Sequence, residues 1–272
     1  MKRFLFVFLF ACPFSGWQGM CQTVYETAGN NLSMAGTGVA NVNAFSPINN
    51  AGTLAFLENT CVGLSAKNHY LIEDLNQYVG TAALPTSFGV FGVSVYYFGD
   101  DAFNESQIGL AYSRKLAENT SMGVKLNYFA TEAAFADKAS MLYPEIGLYY
   151  KLTEHLDIGT KAANLFSQKL DTPFENQLHP FISIGANYHP ADELTLTIQA
   201  DERIDDGFSA RLGVQYRAMK QLAVMAGFST HPATMTAGLN LHLSGLDVSI
   251  GAAYHTELGT SPHSSLSYDF KK

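Results

Sequence analysis

Hydrophobic and polar residues alternate along most of the chain from residue 61 onward. In the segment 122–129 every even-numbered residue is apolar, and Gly123, Lys125 and Asn127 stand between them. Successive side chains of a β-strand point to opposite faces, so this pattern predicts a strand with one apolar face and one polar or small face. The pattern recurs and predicts about 14 strands of the length that crosses a membrane in a tilted barrel. We therefore predict an all-β fold, a transmembrane antiparallel β-barrel.

The predicted connections between strands alternate in length. Short ones fall near 115–120, 151–155, 189–193, 217–221 and 244–245, and longer ones near 130–141, 166–178, 201–207 and 255–264. Short turns at one end and longer loops at the other are typical of outer-membrane barrels. Five tyrosines lie on the apolar face where a strand enters a short turn, which predicts an interfacial aromatic girdle. They are Tyr112, Tyr150, Tyr188, Tyr216 and Tyr268.

A soluble β-sandwich or barrel would show the same alternation, because periodicity does not tell which face is buried. The amino-acid composition favours a membrane barrel over a soluble one. Charged residues make up 15% of the 272 residues, against roughly 25% in soluble domains, and the non-apolar face is rich in Gly, Ser and Thr. The formal net charge of −8 also argues against nucleic acid as a partner, since nucleic-acid binding requires a basic face.

The first 21 residues have the pattern of a secretory signal peptide. Lys2 and Arg3 precede a short apolar run that ends at Ala11, and small residues follow up to Cys21. The run is too short to span a bilayer, so we predict export with cleavage near Cys21; lipidation at Cys12 is the alternative. Cleavage leaves Cys61 as the single cysteine, which excludes an internal disulfide and a cysteine metal cluster.

Residues 22–59 precede the first predicted strand and combine Gly, Asn and Ser with apolar side chains. A barrel of about eight strands fills its interior with side chains, whereas a larger one leaves a lumen. We therefore predict a signal peptide at 1–21, a plug at 22–59 and a barrel at 60–272. A disordered periplasmic tail is the alternative for the plug. Phe45, Leu54 and Phe56 are the candidates to line a hydrophobic ligand pocket.

Two segments near the amino terminus resemble a known family. The stretch from Gly29 to Ala40, followed by that from Asn49 to Ala55, resembles the start of the long-chain fatty acid transporter superfamily, with the PorV/PorQ-like branch of Bacteroidota as the best fit. The resemblance implies an outer-membrane barrel plugged by its own amino-terminal segment. The plug-motif residues are Gly36, Gly38, Asn49, Asn50, Ala51, Gly52 and Leu54. The stretch from Leu266 to Phe270 resembles the closing strand of outer-membrane proteins.

The polar face carries charges of both signs, so a strongly ion-selective ring is not predicted. The candidate lumen residues are Lys125, Glu145, Lys161, Asp201, Arg211 and Gln215. We hypothesise that the first three and Arg211 hold the plug or line a polar route. The eight histidines lack compact metal-ligand spacing, and neither a phosphate loop nor a dinucleotide fingerprint occurs. We therefore predict no catalytic residue, no metal and no cofactor, and expect a protein that is not an enzyme.

Two functions fit these expectations. The first is passive uptake of a hydrophobic small molecule through a plugged barrel in the bacterial outer membrane, with both mature termini in the periplasm. The second is an accessory barrel of type IX secretion or of another outer-membrane complex, which binds protein subunits and conducts nothing. Outer-membrane lipid is an expected partner in both cases.

Overall fold

The computed structural model describes residues 27–134, 136–165, 179–203 and 207–270. These residues form a closed antiparallel barrel of 14 strands, in which each strand pairs with its sequence neighbours and the first pairs with the last. The strands are β1 (Thr60–Asn68), β2 (Asn76–Thr86), β3 (Gly89–Gly99), β4 (Phe103–Ala117), β5 (Thr120–Ala133), β6 (Ala136–Thr153), β7 (Leu156–Ala163), β8 (Phe181–Ala191), β9 (Leu194–Arg203), β10 (Gly207–Arg217), β11 (Leu222–Thr230), β12 (Ala233–Leu243), β13 (Leu246–His255) and β14 (Gly259–Phe270). The predicted fold class is confirmed. The predicted signal peptide at 1–21, and residues 22–26 of the predicted plug, lie outside the described residues.

The barrel closes where β1 meets β14, from the pair Thr60–Phe270 to the pair Lys67–His263. Closure matters because an open sheet edge would leave backbone polar groups without partners in lipid. Thr60 and Phe270 lie at the same end of the barrel as the connections 87–88, 118–119, 154–155, 192–193, 218–221 and 244–245. We call this end the turn end and the opposite end the loop end.

The two faces of the wall differ as the alternation predicts. On β5, Val124 and Leu126 are exposed on the outside, whereas Lys125 and Asn127, which alternate with them, are buried on the inside. The same division holds across the sheet, so large apolar side chains cover the outer face of the barrel. Such a surface suits hydrocarbon rather than water.

The predicted loops at 130–141, 201–207 and 255–264 are wrong over most of their length. Ala130 pairs with Ser140 between β5 and β6, β9 continues to Arg203, and β13 and β14 pair as far as His255 and Gly259. These stretches consist mostly of alanine and of polar or charged residues, with few large apolar side chains, so hydrophobic alternation fades there although the strand pairing continues. The strands therefore extend further toward the loop end than the sequence pattern indicates. The predicted loop at 166–178 lies outside the described residues.

Residues 27–57, which we call the inner segment, lie inside the barrel. They contain the 3₁₀-helices Gly29–Met34 and Ala51–Phe56 and the short helix α1 (Ser46–Asn49). The segment contacts opposite sides of the wall: Gly52 is hydrogen-bonded to Ser121 of β5, and Ser33 is hydrogen-bonded to Thr236 of β12. Within the described residues, no helix has the length and apolarity that a membrane crossing requires.

Candidate functional site

A ring of inward-facing glycines surrounds the inner segment. We call it the glycine belt, and it consists of Gly63, Gly92, Gly123, Gly147, Gly159, Gly185, Gly213, Gly227, Gly238 and Gly251. A Cβ atom at any of these positions would come within 3.0 Å of an atom of the inner segment. Gly123 and Gly147 are register partners on β5 and β6, and their missing side chains leave room for the backbone at Ala51 and Gly52. The wall is therefore shaped to receive the inner segment.

Side chains of the wall hydrogen-bond to the backbone of the inner segment on several sides. The hydroxyl of Ser121 donates to the carbonyl of Gly52 at 2.6 Å. The hydroxyl of Ser113 shares its single proton between the same carbonyl, at 3.3 Å, and that of Met122, at 3.0 Å. On the far side, Thr236 Oγ1 donates to the Ser33 carbonyl (2.9 Å). The wall amide Asn187 donates to the Ala40 carbonyl (3.0 Å). These contacts satisfy backbone groups that neither a helix nor a sheet would pair.

The plug-motif residues predicted from the sequence form the centre of the inner segment. Asn50 donates to the Val39 carbonyl (2.6 Å) and to the Leu148 carbonyl of β6 (3.2 Å), and its Oδ1 accepts from the Gly52 amide (2.8 Å). Asn49 accepts from the Ala28 amide (3.0 Å). Both asparagine side chains, with Ala51 and Leu54, are fully or almost fully buried. One asparagine thus links two parts of the segment to the wall.

Gly36 and Gly38 lie beside a polar network of β9 and β10. The backbone of Gly36 has φ of +75°, which favours glycine. Arg211 points its guanidinium at the Gly36 carbonyl (3.5 Å) and forms an ion pair with Asp201 (2.8 Å). Gln199, which donates to Asp201, accepts from the Gly38 amide (2.9 Å). Gln199 was not singled out in the sequence, because it occupies an ordinary polar position of an alternating strand.

Three predicted lumen residues form a charged layer next to the belt. Lys125, Glu145 and Lys161 are each at least 95% buried, and each lies two positions from a belt glycine on its own strand, toward the loop end. Lys125 and Glu145 face each other as register partners on β5 and β6. We call these residues the charged layer. They lie on the loop-end side of the inner segment.

An apolar cluster lies further toward the loop end on the same strands. Its members are Phe129, Ala139, Met141, Tyr143, Ala163 and Phe181, and we call it the loop-end cluster. The Tyr143 hydroxyl donates to Gln107 (2.8 Å), and the Lys161 ammonium lies 5.3 Å from the ring centre of Phe181. The sequence offered one signal for this cluster, since Phe129 interrupts the polar face of β5. Ala139 and Met141 fell inside a predicted loop.

The three residues predicted to line a hydrophobic pocket have different surroundings. Leu54 is fully buried in a cluster with Ala51 and Ala83. Phe45 packs in another cluster with Ile48, and its ring fills the space beside Gly63. Phe56 lies between the ammonium groups of Lys115 and Lys151, 4.4 and 4.8 Å from its ring centre, and meets Tyr149 edge to face.

A polar cavity of about 450 Å³ opens between the inner segment and the turn end of β10–β14. Gln215, a predicted lumen residue, lines it with Arg217 and Asn240. His242 and Asp247 form a 2.9 Å pair at its wall. Within the described part of the chain, no group of three or more His, Cys, Asp or Glu side chains is placed to hold a metal ion.

The five predicted girdle tyrosines lie on the outer face near the turn end. Tyr188, Tyr216 and Tyr268 pair with the first residues of β7, β9 and β13. Tyr150 pairs with the first residue of β5, and Tyr112 donates to the Phe88 carbonyl of the adjacent turn (2.6 Å). All five rings thus lie toward the turn end of the barrel.

Solved structures resemble this barrel along nearly its whole length. The toluene transporter TbuX of Ralstonia pickettii superposes with a TM-score of 0.69 at 10% identity, over 91% of this chain and 99% of that one. The Pseudomonas putida toluene transporter TodX gives 0.68 at 10%, over 90% and 97%. A Pseudomonas aeruginosa FadL homologue gives 0.63 at 14%, over 90% and 98%. This chain has their fold. The sequence matches no protein-family model and no curated protein.

Proposed function

We propose that this protein is an outer-membrane channel for the passive uptake of hydrophobic small molecules. The observation that carries the proposal is the loop-end cluster, which places the aromatic and apolar side chains of Phe129, Met141, Tyr143 and Phe181 inside the lumen, on the loop-end side of the inner segment. Apolar side chains with a few polar groups beside them are the usual lining of small-molecule sites. Toluene transporters with the same fold support the proposal.

The proposed orientation places the turn end and both termini of the mature chain in the periplasm, as in other outer-membrane barrels. Substrate then enters at the loop end, where the wall is uneven. β6 has 18 residues and β7 only 8, so β7 pairs with β6 no further than the pair Glu145–Ala163. The loop-end cluster lies behind this step. We place the exit at the polar cavity of the turn end, beside Gln215 and Arg217.

The inner segment lies across the direct route between these two ends. Its contacts with the glycine belt occupy the lumen at that level. A substrate must therefore pass on the side of β10–β14, where the cavity lies, or the inner segment must shift. We propose that residues 22–59 serve as the plug of the barrel and that the girdle tyrosines anchor the turn end in the headgroup region.

A second candidate is a PorV/PorQ-like accessory barrel of type IX secretion in Bacteroidota, which rests on the resemblance of residues 29–55. The hydrogen bonds between the wall and the inner segment are compatible with it, because a barrel that conducts nothing can keep its lumen filled. Co-purification from gently solubilised membranes separates the candidates. A stoichiometric protein partner without solute uptake supports the second.

Uptake of radiolabelled toluene into cells tests the proposed channel. Cells whose outer membrane carries the barrel are compared with cells that carry the empty vector. The fraction of folded barrel is measured by its mobility on gels without boiling. Faster initial uptake with the barrel supports the proposal. Equal rates, with the barrel present and folded, would overturn it.

A further inference from the structure

The polar cavity at the turn end has a lining that suits the groups of a peptide backbone. Five of its side chains are amides, those of Asn30, Asn43, Gln215, Gln221 and Asn240. An amide side chain presents both hydrogen-bond donors and an acceptor, and a peptide group likewise has one donor and one acceptor. The cavity therefore offers partners to both halves of a peptide bond, and its volume of about 450 Å³ lies in the range of small-molecule sites.

The charged side chains of the lining are divided by sign across the cavity. Arg217, the last residue of β10, and Lys220, in the turn that follows, are the cations. Asp247, near the start of β13, and Asp269, near the end of β14, are the anions. A ligand with one charge of each sign at its two ends would match this arrangement.

The separation of the two signs fits a short extended peptide. Arg217 and Asp247 stand on β10 and β13, three strands apart in the sheet. Neighbouring strands lie about 4.8 Å apart, so the two backbones are separated by roughly 14 Å or more along the wall. The two side chains reach into the cavity and shorten this gap. A peptide of three or four extended residues, about 10–14 Å long, spans what is left.

Two buried polar atoms on this part of the wall have no hydrogen-bond partner among the described residues. They are Ser249 Oγ and Asn240 Oδ1. Ser249 is 1% exposed, and in register it lies between Asn240 of β12 and Ser265 of β14, both of which line the cavity. Buried polar groups are normally paired. This hydroxyl donor and amide acceptor therefore indicate a polar ligand group beside them.

The carboxylate of Asp247 is held in place by its neighbours. Asn240 Nδ2 donates to Asp247 Oδ1 (3.2 Å), and His242 Nδ1 lies 2.9 Å from the same oxygen. The side chain of Asp247 is 31% exposed, so a ligand in the cavity can approach it. An ammonium group forms a short, charge-assisted hydrogen bond with a carboxylate. Asp247 is thus an oriented acceptor for a cationic ligand group.

We propose that the turn-end cavity binds a short peptide with a free amino terminus and a free carboxyl terminus. The peptide ammonium donates to Asp247, and the Arg217 guanidinium donates to the peptide carboxylate. The amide side chains between them bond to the peptide groups, and the apolar surfaces of Phe45 and Leu57 face the peptide's side chains. In the proposed orientation this site opens to the periplasm. The inference goes beyond the proposed uptake of hydrophobic molecules and does not depend on it.

Calorimetric titration of trialanine into the folded full-length barrel, in a non-ionic detergent, tests the proposal. N-acetyl-trialanine amide is the matched probe, because it keeps the peptide groups and lacks both terminal charges. We expect trialanine to bind and the blocked peptide to bind at least tenfold more weakly.

Two variants, each combined with a peptide blocked at one end, assign the two ends. Arg217→Met should weaken trialanine binding about tenfold and leave the affinity for trialanine amide, which has no carboxylate, unchanged. Asp247→Asn should weaken trialanine binding by a similar factor and leave the affinity for N-acetyl-trialanine, which has no ammonium, unchanged. A purely structural role of either residue would weaken the binding of both peptides alike.

Arg114→Met is the matched control, because Arg114 is an exposed cation near the turn end of β4, outside the arc β10–β14. It should leave trialanine affinity unchanged. Gel mobility without boiling shows whether each variant is folded, and if one fails to fold, the other variant and the blocked peptide still decide. Trialanine binding that is absent, equal to that of the blocked peptide, or weakened by Arg217→Met no more than that of trialanine amide overturns the inference. The titration contains no toluene, so such a result leaves the proposed uptake function standing.

Discussion

The hydroxyl of Ser121 on β5 donates a 2.6 Å hydrogen bond to the carbonyl of Gly52 in the inner segment. Ser113 of β4 lies 3.3 Å from the same carbonyl and shares its hydroxyl proton between that oxygen and the Met122 carbonyl (3.0 Å). Two strands of the wall thus hold one peptide group whose neighbours fill the space beside Gly123 and Gly147. The contact combines the two features that fix the inner segment, namely small wall residues and wall hydroxyls.

Loss of the serine hydroxyls should destabilise the barrel. Ser121→Ala leaves Ser113 as a donor to the Gly52 carbonyl, so we expect a cost of about 1 kcal/mol, and the double variant with Ser113→Ala should cost more than the sum of the single changes. Urea unfolding in lipid vesicles measures this. Ser140→Ala, at an exposed position of β6, is the control and should change little. If the free-energy cost of the double variant equals the sum of the two single costs, the two serines do not share the Gly52 carbonyl as an acceptor.

A side chain in the glycine belt should displace the inner segment. At Gly123 a valine would collide with the Ala51 carbonyl, so we expect a loss of about 1–3 kcal/mol in the free energy of unfolding. Limited proteolysis should then cut within residues 27–57. The matched control is Gly80→Val, because a Cβ at Gly80 meets only Leu64 at an ordinary 3.7 Å. Equal stability and equal proteolysis of the two variants would contradict the inference that the glycine belt makes room for the inner segment.

The ion pair between Arg211 and Asp201 supports the inner segment near Gly36. Arg211→Met leaves the buried Asp201 without its cation, and removal of one partner of a buried pair costs about 3–5 kcal/mol. The double variant with Asp201→Leu removes both charges and should be the more stable of the two. Denaturant unfolding compares them with the wild type. If the double variant is less stable than Arg211→Met, the unpaired charge of Asp201 is not the cause of the stability that Arg211→Met loses.

The cost of placing a charged side chain on the apolar outer face should depend on its depth in the bilayer. Leu126 lies near the middle of β5, whereas Leu152 lies near the turn end of β6, and both are exposed on the outside. Arginine on the lipid face costs about 2–4 kcal/mol at the bilayer midplane and about 0–1 kcal/mol near the interfaces. We therefore expect Leu126→Arg to be the more harmful change in vesicles. Equal costs would indicate that this face does not contact hydrocarbon.

The strands were predictable because alternation is a local property. The alternation of the residues around Val124 and Lys125 is enough to assign one to the outer face of the strand and the other to the inner face. The contacts of the inner segment were not predictable in this way, since the meeting of Gly52 with Ser121 depends on the register of two distant segments. The charged layer combines both cases, because its residues were identifiable as lumen-facing while their grouping required the strand pairing.

The loop-end cluster shows where the pattern fails. Phe129 was visible as an aromatic residue on the polar face, but Ala139 and Met141 lay in a predicted loop because their neighbours are polar. The strands continue there through backbone hydrogen bonds, which hydrophobic periodicity does not report. Gln199 was missed for another reason, since nothing in its sequence neighbourhood distinguishes a side chain that binds backbone amides from one that contacts water.

Adjacent residues of β6 provide the most direct measurement of whether substrate passes through the lumen. Met141 belongs to the loop-end cluster inside the barrel, and Leu142 is exposed on the outside. Toluene uptake per folded barrel is measured for Met141→Gln and Leu142→Gln in the same cells. A lumenal path predicts several-fold slower uptake for Met141→Gln and a wild-type rate for Leu142→Gln. A wild-type rate for Met141→Gln, or a greater loss for Leu142→Gln, would contradict it.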